Sequence, residues 1–120
     1  MTRRRDQRGA VTAELAMALP LLLAVTTGLV WLLALGAAQV RVVDAAREAA
    51  RAVARGDDVG SAQALGRRIA PDGARLAVSF AGGHVVVQAT ARVDGPGGLF
   101  DFLPGVDVRA RSVALAEEEG

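Results

Sequence analysis

The chain has 120 residues, with 14 basic and 13 acidic side chains, one histidine and no cysteine. This length leaves room for one small domain beside a membrane segment, and the lack of cysteine excludes disulfides, thiolate metal sites and cysteine nucleophiles. The net charge of +1 averages a basic N-terminal end and an acidic C-terminal end. We therefore expect no cofactor and no nucleic-acid partner.

A basic start and a long uncharged run dominate the N-terminal third. Four of the first eight residues are arginines, whereas the 26 residues from Leu15 to Val40 carry no charge. As a helix this run would be about 39 Å long, more than the ~30 Å hydrocarbon core of a bilayer. We predict one tilted membrane span, kinked but not broken at Pro20, with the N-terminus in the cytoplasm and the C-terminal part exported.

The segment from Arg41 to Arg55 is rich in alanine and arginine, which favour helix. It predicts that one helix continues from about Ala10 to Arg55 and stops at Gly56. A short second helix is predicted from Ser61, as its N-cap, to about Ala70.

Beyond Gly73 the apolar residues alternate with a period of two, which predicts strands. A two-residue turn at Gly82-Gly83 would pair Phe80 with Val85, Val78 with Val87 and Leu76 with Ala89. A third strand is predicted from Val106 to about Ala116, with a bulge near Ser112 where the apolar phase shifts. The predicted fold class is α+β, a long N-terminal transmembrane helix followed by a small three-stranded antiparallel β-sheet.

The connection between the second and third strands is rich in glycine and proline but also carries apolar side chains. It runs from Asp94 to Gly105 and includes Leu99, Phe100, Phe102 and Leu103. Two interpretations stay open, a cap over the end of the sheet and a docking patch for a partner.

One carboxylate stands at the entrance of the apolar run. Glu14 follows Gly9 by five residues, and a charge inside a membrane helix costs on the order of 2.5 to 3.5 kcal/mol at the bilayer centre. Alternatively, Glu14 lies at the membrane interface, where the positive N-terminal end of the helix dipole favours a carboxylate.

The order of basic segment, Gly9, four uncharged residues, Glu14 and apolar run resembles the class III signal of type IV pilins. This resemblance implies that a prepilin peptidase cuts between Gly9 and Ala10, so that Glu14 becomes the fifth residue of the mature chain. The free amino group of Ala10 would then pair with the corresponding glutamate of a neighbouring subunit.

The wider pattern consists of GAVTAELAMALPLLLAV, then DAAREAARAVARG and a small β-rich end. It resembles the TadE-like minor pseudopilins of tight-adherence (Tad/Flp) pilus systems. The resemblance implies a leader at 1–9, an anchor helix with its extension at 10–55 and an exported domain at 56–120. Its implied partners are a prepilin peptidase, other pilin and pseudopilin subunits, the pilus assembly platform and the lipid bilayer. Leu15 departs from the aromatic residue that often follows the glutamate in this group.

Small residues recur at multiples of four along the apolar run, which predicts that they share one helix face and allow close approach of a neighbouring helix. They are Ala16, Ala24, Gly28 and Gly36. In a chain this rich in alanine, chance spacing is an equal alternative.

The sequence leaves three alternatives to the pilin interpretation. A conventional signal peptide cleaved near Gly36 would have an apolar core of 7 to 15 residues and no glutamate at its entrance. A single-pass envelope or secretion-system component without processing is the second. An enzyme is the third, and it is disfavoured because the single histidine, His84, lies beside a glycine turn and the aspartates are scattered.

Overall fold

A computed structural model describes residues 2–96, 102 and 104–116, with side chains described from Asp6 onward. It has two helices and three strands in chain order: α1 (Thr2–Ala54), α2 (Val59–Ile69), β1 (Arg75–Ala81), β2 (His84–Val93) and β3 (Val106–Leu115). The strands form one antiparallel sheet in the order β1-β2-β3. The predicted α+β class is confirmed.

Helix α1 is continuous over its 53 residues, about 80 Å. It passes through Pro20 without a break, as predicted, but it begins at Thr2 rather than near Ala10. Once a helix exists, each added residue costs little, and the arginines before Gly9 are good helix formers. Gly9 therefore lies inside the helix and not in an extended segment ahead of it.

The N-terminal half of α1 projects beyond the folded domain as an apolar rod. Between Val11 and Val30, ten large apolar side chains are each more than half exposed. The chain measures 92 × 21 × 21 Å along its principal axes. By length and composition, this part of α1 fits a single membrane span.

The C-terminal half of α1 forms the centre of the core. Val42, Ala45, Ala46 and Ala49 are completely buried on the side that faces α2 and the sheet. Because these side chains are small, the neighbouring elements approach the helix backbone closely. The predicted helix extension is therefore a packing surface as well as a connection.

Helix α2 begins two residues earlier than predicted, and Asp58 rather than Ser61 caps it. The Asp58 carboxylate accepts a hydrogen bond from the backbone N–H of Ser61 at 3.2 Å. The predicted Ser61 cap is wrong because Asp58, three residues upstream, caps the helix, so Ser61 already lies within its first turn. At the other end, the Arg41 guanidinium donates to the carbonyl oxygens of Ile69 at 3.1 Å and Ala70 at 3.4 Å.

The predicted hairpin register is confirmed at all three pairs, including Val78 with Val87. Gly82 and Gly83 both have positive φ, 55° and 80°, as a primed two-residue turn requires. Burial falls along β1 from Leu76 to Phe80, which is 64% exposed. Strand β1 is an edge, and α2 contacts its beginning, where Gln63 donates to the Leu76 carbonyl at 3.1 Å.

Strand β3 contains no bulge near Ser112. Its pairing with β2 continues without interruption from Val106 to Leu115, so the side chains keep strict alternation. Val113 and Leu115 therefore point to the outer face, where they are 54% and 71% exposed. The bulge prediction is wrong because it assumed that every apolar residue of the strand must face the core.

The apolar connection after β2 lies mostly outside the described residues, including Leu99, Phe100 and Leu103. Phe102 is described, and it is 77% exposed. The choice between a cap and a docking patch stays a prediction.

We expect Gly66→Val to destabilise the folded domain by about 1 to 3 kcal/mol. A Cβ atom at Gly66 would overlap Leu76 Cδ2 of β1 and would lie 3.3 Å from the Ala45 carbonyl oxygen of α1, so the added side chain would displace Leu76 and press α2 away from α1. Thermal unfolding followed by circular dichroism measures the effect. Ala64→Val is the matched control, because Ala64 is exposed on the same helix. Equal unfolding temperatures for the two variants would contradict this packing.

Candidate membrane-assembly site

Glu14 lies on the bare part of α1. Its neighbours along the helix include Leu15 and Met17, which are 58% and 80% exposed. Among the described residues, no side chain forms a hydrogen bond or an ion pair with Glu14. The carboxylate is thus free to interact with another molecule.

The predicted cleavage site lies just before Glu14 on the same helix. Ala10 is four residues upstream of Glu14, one helical turn or about 6 Å along the axis, so the two residues share a face. A Cβ atom at Gly9 would meet nothing within 4 Å. The Gly9–Ala10 bond is therefore open to solvent on this segment, but it is helical rather than extended.

Polar contacts fix the position of the folded domain along α1. The Trp31 indole Nε1 donates to the Asp94 carbonyl oxygen at 3.0 Å, and Gln39 Nε2 donates to the Arg109 carbonyl oxygen at 3.0 Å. Ala38, between them, is buried in the core. The C-terminal third of the uncharged run, from Trp31 to Val40, is therefore attached to the domain.

This attachment sets where a bilayer can lie. A hydrocarbon layer extending past Trp31 would enclose the charged residues Arg92 and Asp94 at the adjacent end of the sheet, which is expensive. Trp31 suits the membrane surface, where amphipathic rings collect. Counting back about 30 Å at about 1.5 Å per residue places the opposite boundary near Val11.

If the hydrocarbon layer ends at Trp31, the span would lie closer to the N-terminus than the predicted run from Leu15 to Val40. Glu14 lies at the interface under the predicted placement, whereas a boundary at Trp31 would put it about 5 Å into the apolar layer. The Gly9–Ala10 bond would then lie at the membrane surface. The single tryptophan within the apolar run is the one sequence signal for such a boundary.

The four small residues follow a ridge that winds around α1. Each step of four residues turns the direction by about 40°, so Ala24 and Gly28 share a face while Ala16 and Gly36 point nearly opposite ways. A neighbouring helix would contact this ridge over a limited length at a crossing angle. Gly36 also lies beyond Trp31, on the domain side of the boundary, and only Ala16, Ala24 and Gly28 lie within the proposed span.

Four of the described aspartates form local contacts. Asp58 caps α2, and Asp57 pairs with Arg55 at 3.5 Å. Asp94 and Asp107 lie 3.8 Å from Arg92 and Arg109. Within the described part of the chain, no three histidine or acidic side chains converge where a metal ion could bind. Asp101 lies outside the described residues.

Comparison with known proteins finds two matches. The family model of TadE-like proteins matches residues 9–51, which include Gly9, Glu14 and most of the buried helix extension. The apoptosis inhibitor Rv3655c of Mycobacterium tuberculosis is 46% identical over 79 residues, 66% of this chain and 57% of that protein. The chain thus covers little more than half of this relative's length. No solved structure matches.

We predict that single cysteines will locate the membrane boundary at Trp31. In the reconstituted full chain, a cysteine at Gly36 should react with a membrane-impermeant maleimide, and a cysteine at Leu22 should not. Both positions are exposed on α1, so protection at Leu22 reports lipid rather than protein. The native chain has no cysteine and gives the blank. Protection at both positions would restore the span from Leu15 to Val40.

Proposed function

We propose that this chain is a minor pilin or pseudopilin subunit for assembly of a Flp-type pilus. The match of residues 9–51 to the TadE-like family supports a protein of Tad pilus systems. A prepilin peptidase processes it after Gly9. It acts by assembly and not by catalysis. Glu14, an unpaired carboxylate on the bare apolar segment of α1, carries this proposal.

The energy of Glu14 favours pairing with a neighbouring subunit. An acidic side chain inside hydrocarbon costs up to roughly 3 kcal/mol, and the chain itself offers no described partner to offset that cost. Cleavage before Ala10 would create an amino group near the membrane surface, about 6 Å from Glu14 along the helix axis. The two groups are complementary in charge, so pairing them across subunits sets the register of one helix against the next.

The amino group of the same chain also lies within reach, one turn below Glu14. Pairing within one subunit would neutralise the carboxylate but would leave the apolar rod without a partner. The ten exposed apolar side chains of the rod, together with Ala24 and Gly28 on one face, support contact with neighbouring helices. The expected partners are other pilin and pseudopilin subunits, held at the membrane by the assembly platform.

Processing requires α1 to open locally at its start. Proteases bind substrates in an extended conformation, whereas Gly9 and Ala10 are helical here. Glycine lowers the cost of that opening, because it disfavours the helix by about 1 kcal/mol relative to alanine. The absence of a side chain at Gly9 also leaves space for a protease cleft.

The proposed location is the cytoplasmic (inner) membrane, with the N-terminus in the cytoplasm and the folded domain exported. The arginines at positions 3, 4, 5 and 8 precede the membrane segment and favour this orientation. The alternative function is a single-pass envelope or secretion-system component that keeps its leader. The two functions differ in the N-terminal residue of the mature protein.

Gly9→Val should block processing when the chain is expressed with a prepilin peptidase, because a branched side chain would obstruct the cleft. The wild-type chain should shift to a smaller size, with Ala10 as its first residue by N-terminal sequencing. Thr12→Val introduces the same residue three positions later and should leave cleavage intact. An unprocessed wild-type chain beside a processed control prepilin would favour the alternative function.

Glu14→Gln should leave cleavage intact but reduce association with other pilin subunits. Removing one partner of a buried charge pair costs about 3 to 5 kcal/mol, so recovery in a pull-down of detergent-solubilised pilins should fall at least about tenfold. Ala13→Gln places the same amide on a neighbouring position and should retain association. Equal recovery for both variants would argue against a role of Glu14 in assembly.

A further inference from the structure

We propose that the membrane-proximal end of the sheet binds the phosphate group of an anionic phospholipid headgroup, through Arg75, Arg92 and Arg109. This inference rests on the membrane anchoring described above, but it does not depend on processing after Gly9 or on Glu14.

The three arginines surround one depression on the outer face of the sheet. Arg75 and Arg109 flank Thr90 in the same row across the three strands, and Arg92 follows Thr90 on that face of β2. Neighbouring strands are about 5 Å apart, so Arg75 and Arg109 begin about 10 Å from each other. The depression has a volume of about 400 Å³. Its lining comprises Gly73, Arg75, Thr90, Ala91, Arg92, Asp107 and Arg109.

The guanidinium groups keep their donors available. None of the three arginines donates a hydrogen bond to another described residue. Arg92 lies 3.8 Å from Asp94, and Arg109 lies 3.8 Å from Asp107. Both arginine side chains are about two-thirds exposed. Each guanidinium has five N–H groups in a planar fork that matches phosphate oxygens.

The backbone at Gly105 holds Arg92 in place. A Cβ atom at Gly105 would lie 2.6 Å from Arg92 Nε and 3.2 Å from its Cγ, so the side chain rests directly on this glycine. Gly105, in the turn that leads into β3, therefore packs against one of the arginines that line the depression.

The height of the depression above the bilayer identifies the ligand as a headgroup. Asp94 contacts Trp31 at the proposed membrane surface, and Arg92 is two residues from Asp94, about 7 Å along β2. Arg109 lies at the level of Gln39, about 12 Å above Trp31 along α1. Headgroups extend about 5 to 8 Å beyond the hydrocarbon on each side, and arginine side chains can reach down to them.

Trp31 provides a probe of lipid preference next to the depression, since it is the only tryptophan. The full chain is reconstituted in phosphatidylcholine with brominated acyl chains, which quench nearby indole fluorescence. Unbrominated phosphatidylglycerol or unbrominated phosphatidylcholine is then titrated in. We expect phosphatidylglycerol to displace the brominated lipid next to Trp31, and so restore its fluorescence, with a preference over phosphatidylcholine of about fivefold or more. One arginine near an anionic surface contributes about this factor.

Substitution of all three arginines, Arg75→Gln with Arg92→Gln and Arg109→Gln, should return the preference to about one. The matched control, Arg51→Gln with Arg67→Gln and Arg68→Gln, removes the same charge from exposed positions away from the depression and should keep it. Circular dichroism confirms that both variants are folded. A wild-type chain without preference, a preference retained in the first variant, or equal loss in both variants would overturn the proposal.

Two further measurements distinguish the ways in which the lipid-binding proposal could fail. Quenching in pure brominated phosphatidylcholine reports that Trp31 lies at the bilayer, so its absence would remove the membrane anchoring on which the proposal rests. Inorganic phosphate is added against sodium chloride of equal ionic strength. Selective loss of the lipid preference in phosphate would reassign the depression to a soluble phosphate ligand, whereas equal preference in both salts supports the headgroup. The size shift on processing is measured separately and is independent of these results.

Discussion

The hydrogen bond between the Trp31 indole and the Asp94 carbonyl oxygen, on an unbroken α1, fixes the relation between the folded domain and the membrane segment. A continuous helix does not change its length, so the position at which the domain begins determines how many residues remain for the bilayer. The segment from Val11 to Trp31 has about the length of one hydrocarbon thickness. In the proposed membrane placement, the depth of Glu14, the position of the Gly9–Ala10 bond and the height of the arginine-lined depression are all set by this contact.

The same helix supplies much of the domain's core. A segment of about 60 residues after Gly56 is near the lower limit for an independent hydrophobic core. Here the buried face of α1, with Val42 and its alanines, takes the place of a second layer against α2 and the sheet. Gly66 completes this arrangement because a side chain at that position would overlap Leu76 of β1 and crowd α1. The C-terminal half of α1 is therefore part of the same folded unit as α2 and the sheet.

The charged residues differ between the apolar rod and the folded domain. Between Val11 and Val30 the rod carries one acidic group, Glu14, and no described side chain forms an ion pair with it. Above the boundary, Arg41 satisfies carbonyl oxygens at the C-terminal end of α2, whereas the arginines around Thr90 keep free donors. Arginine thus stabilises the domain at one place and leaves a binding surface at another. In the proposed placement, Glu14 lies near the N-terminal boundary of the span and the proposed lipid site lies beyond the opposite boundary, so the two proposals can be tested separately.

The sequence by itself determined the features that depend on local pattern. An apolar run with an arginine-rich start predicted the anchor, and two glycines with alternating strands predicted the hairpin register. The pattern from Arg8 to Gly56, with a small β-rich end, resembled the TadE-like family. These are set by periodicity, turn chemistry and charge within a few residues. The end of the membrane segment, the N-cap of α2 and the straight β3 were different, because each was decided by contacts with distant residues. Trp31 meets Asp94 63 positions later, and the pairing of β3 with β2 overrides the apolar phase at Val113 and Leu115. Only the tertiary structure could bring those groups together, and with them the depth of Glu14 and the grouping of Arg75, Arg92 and Arg109.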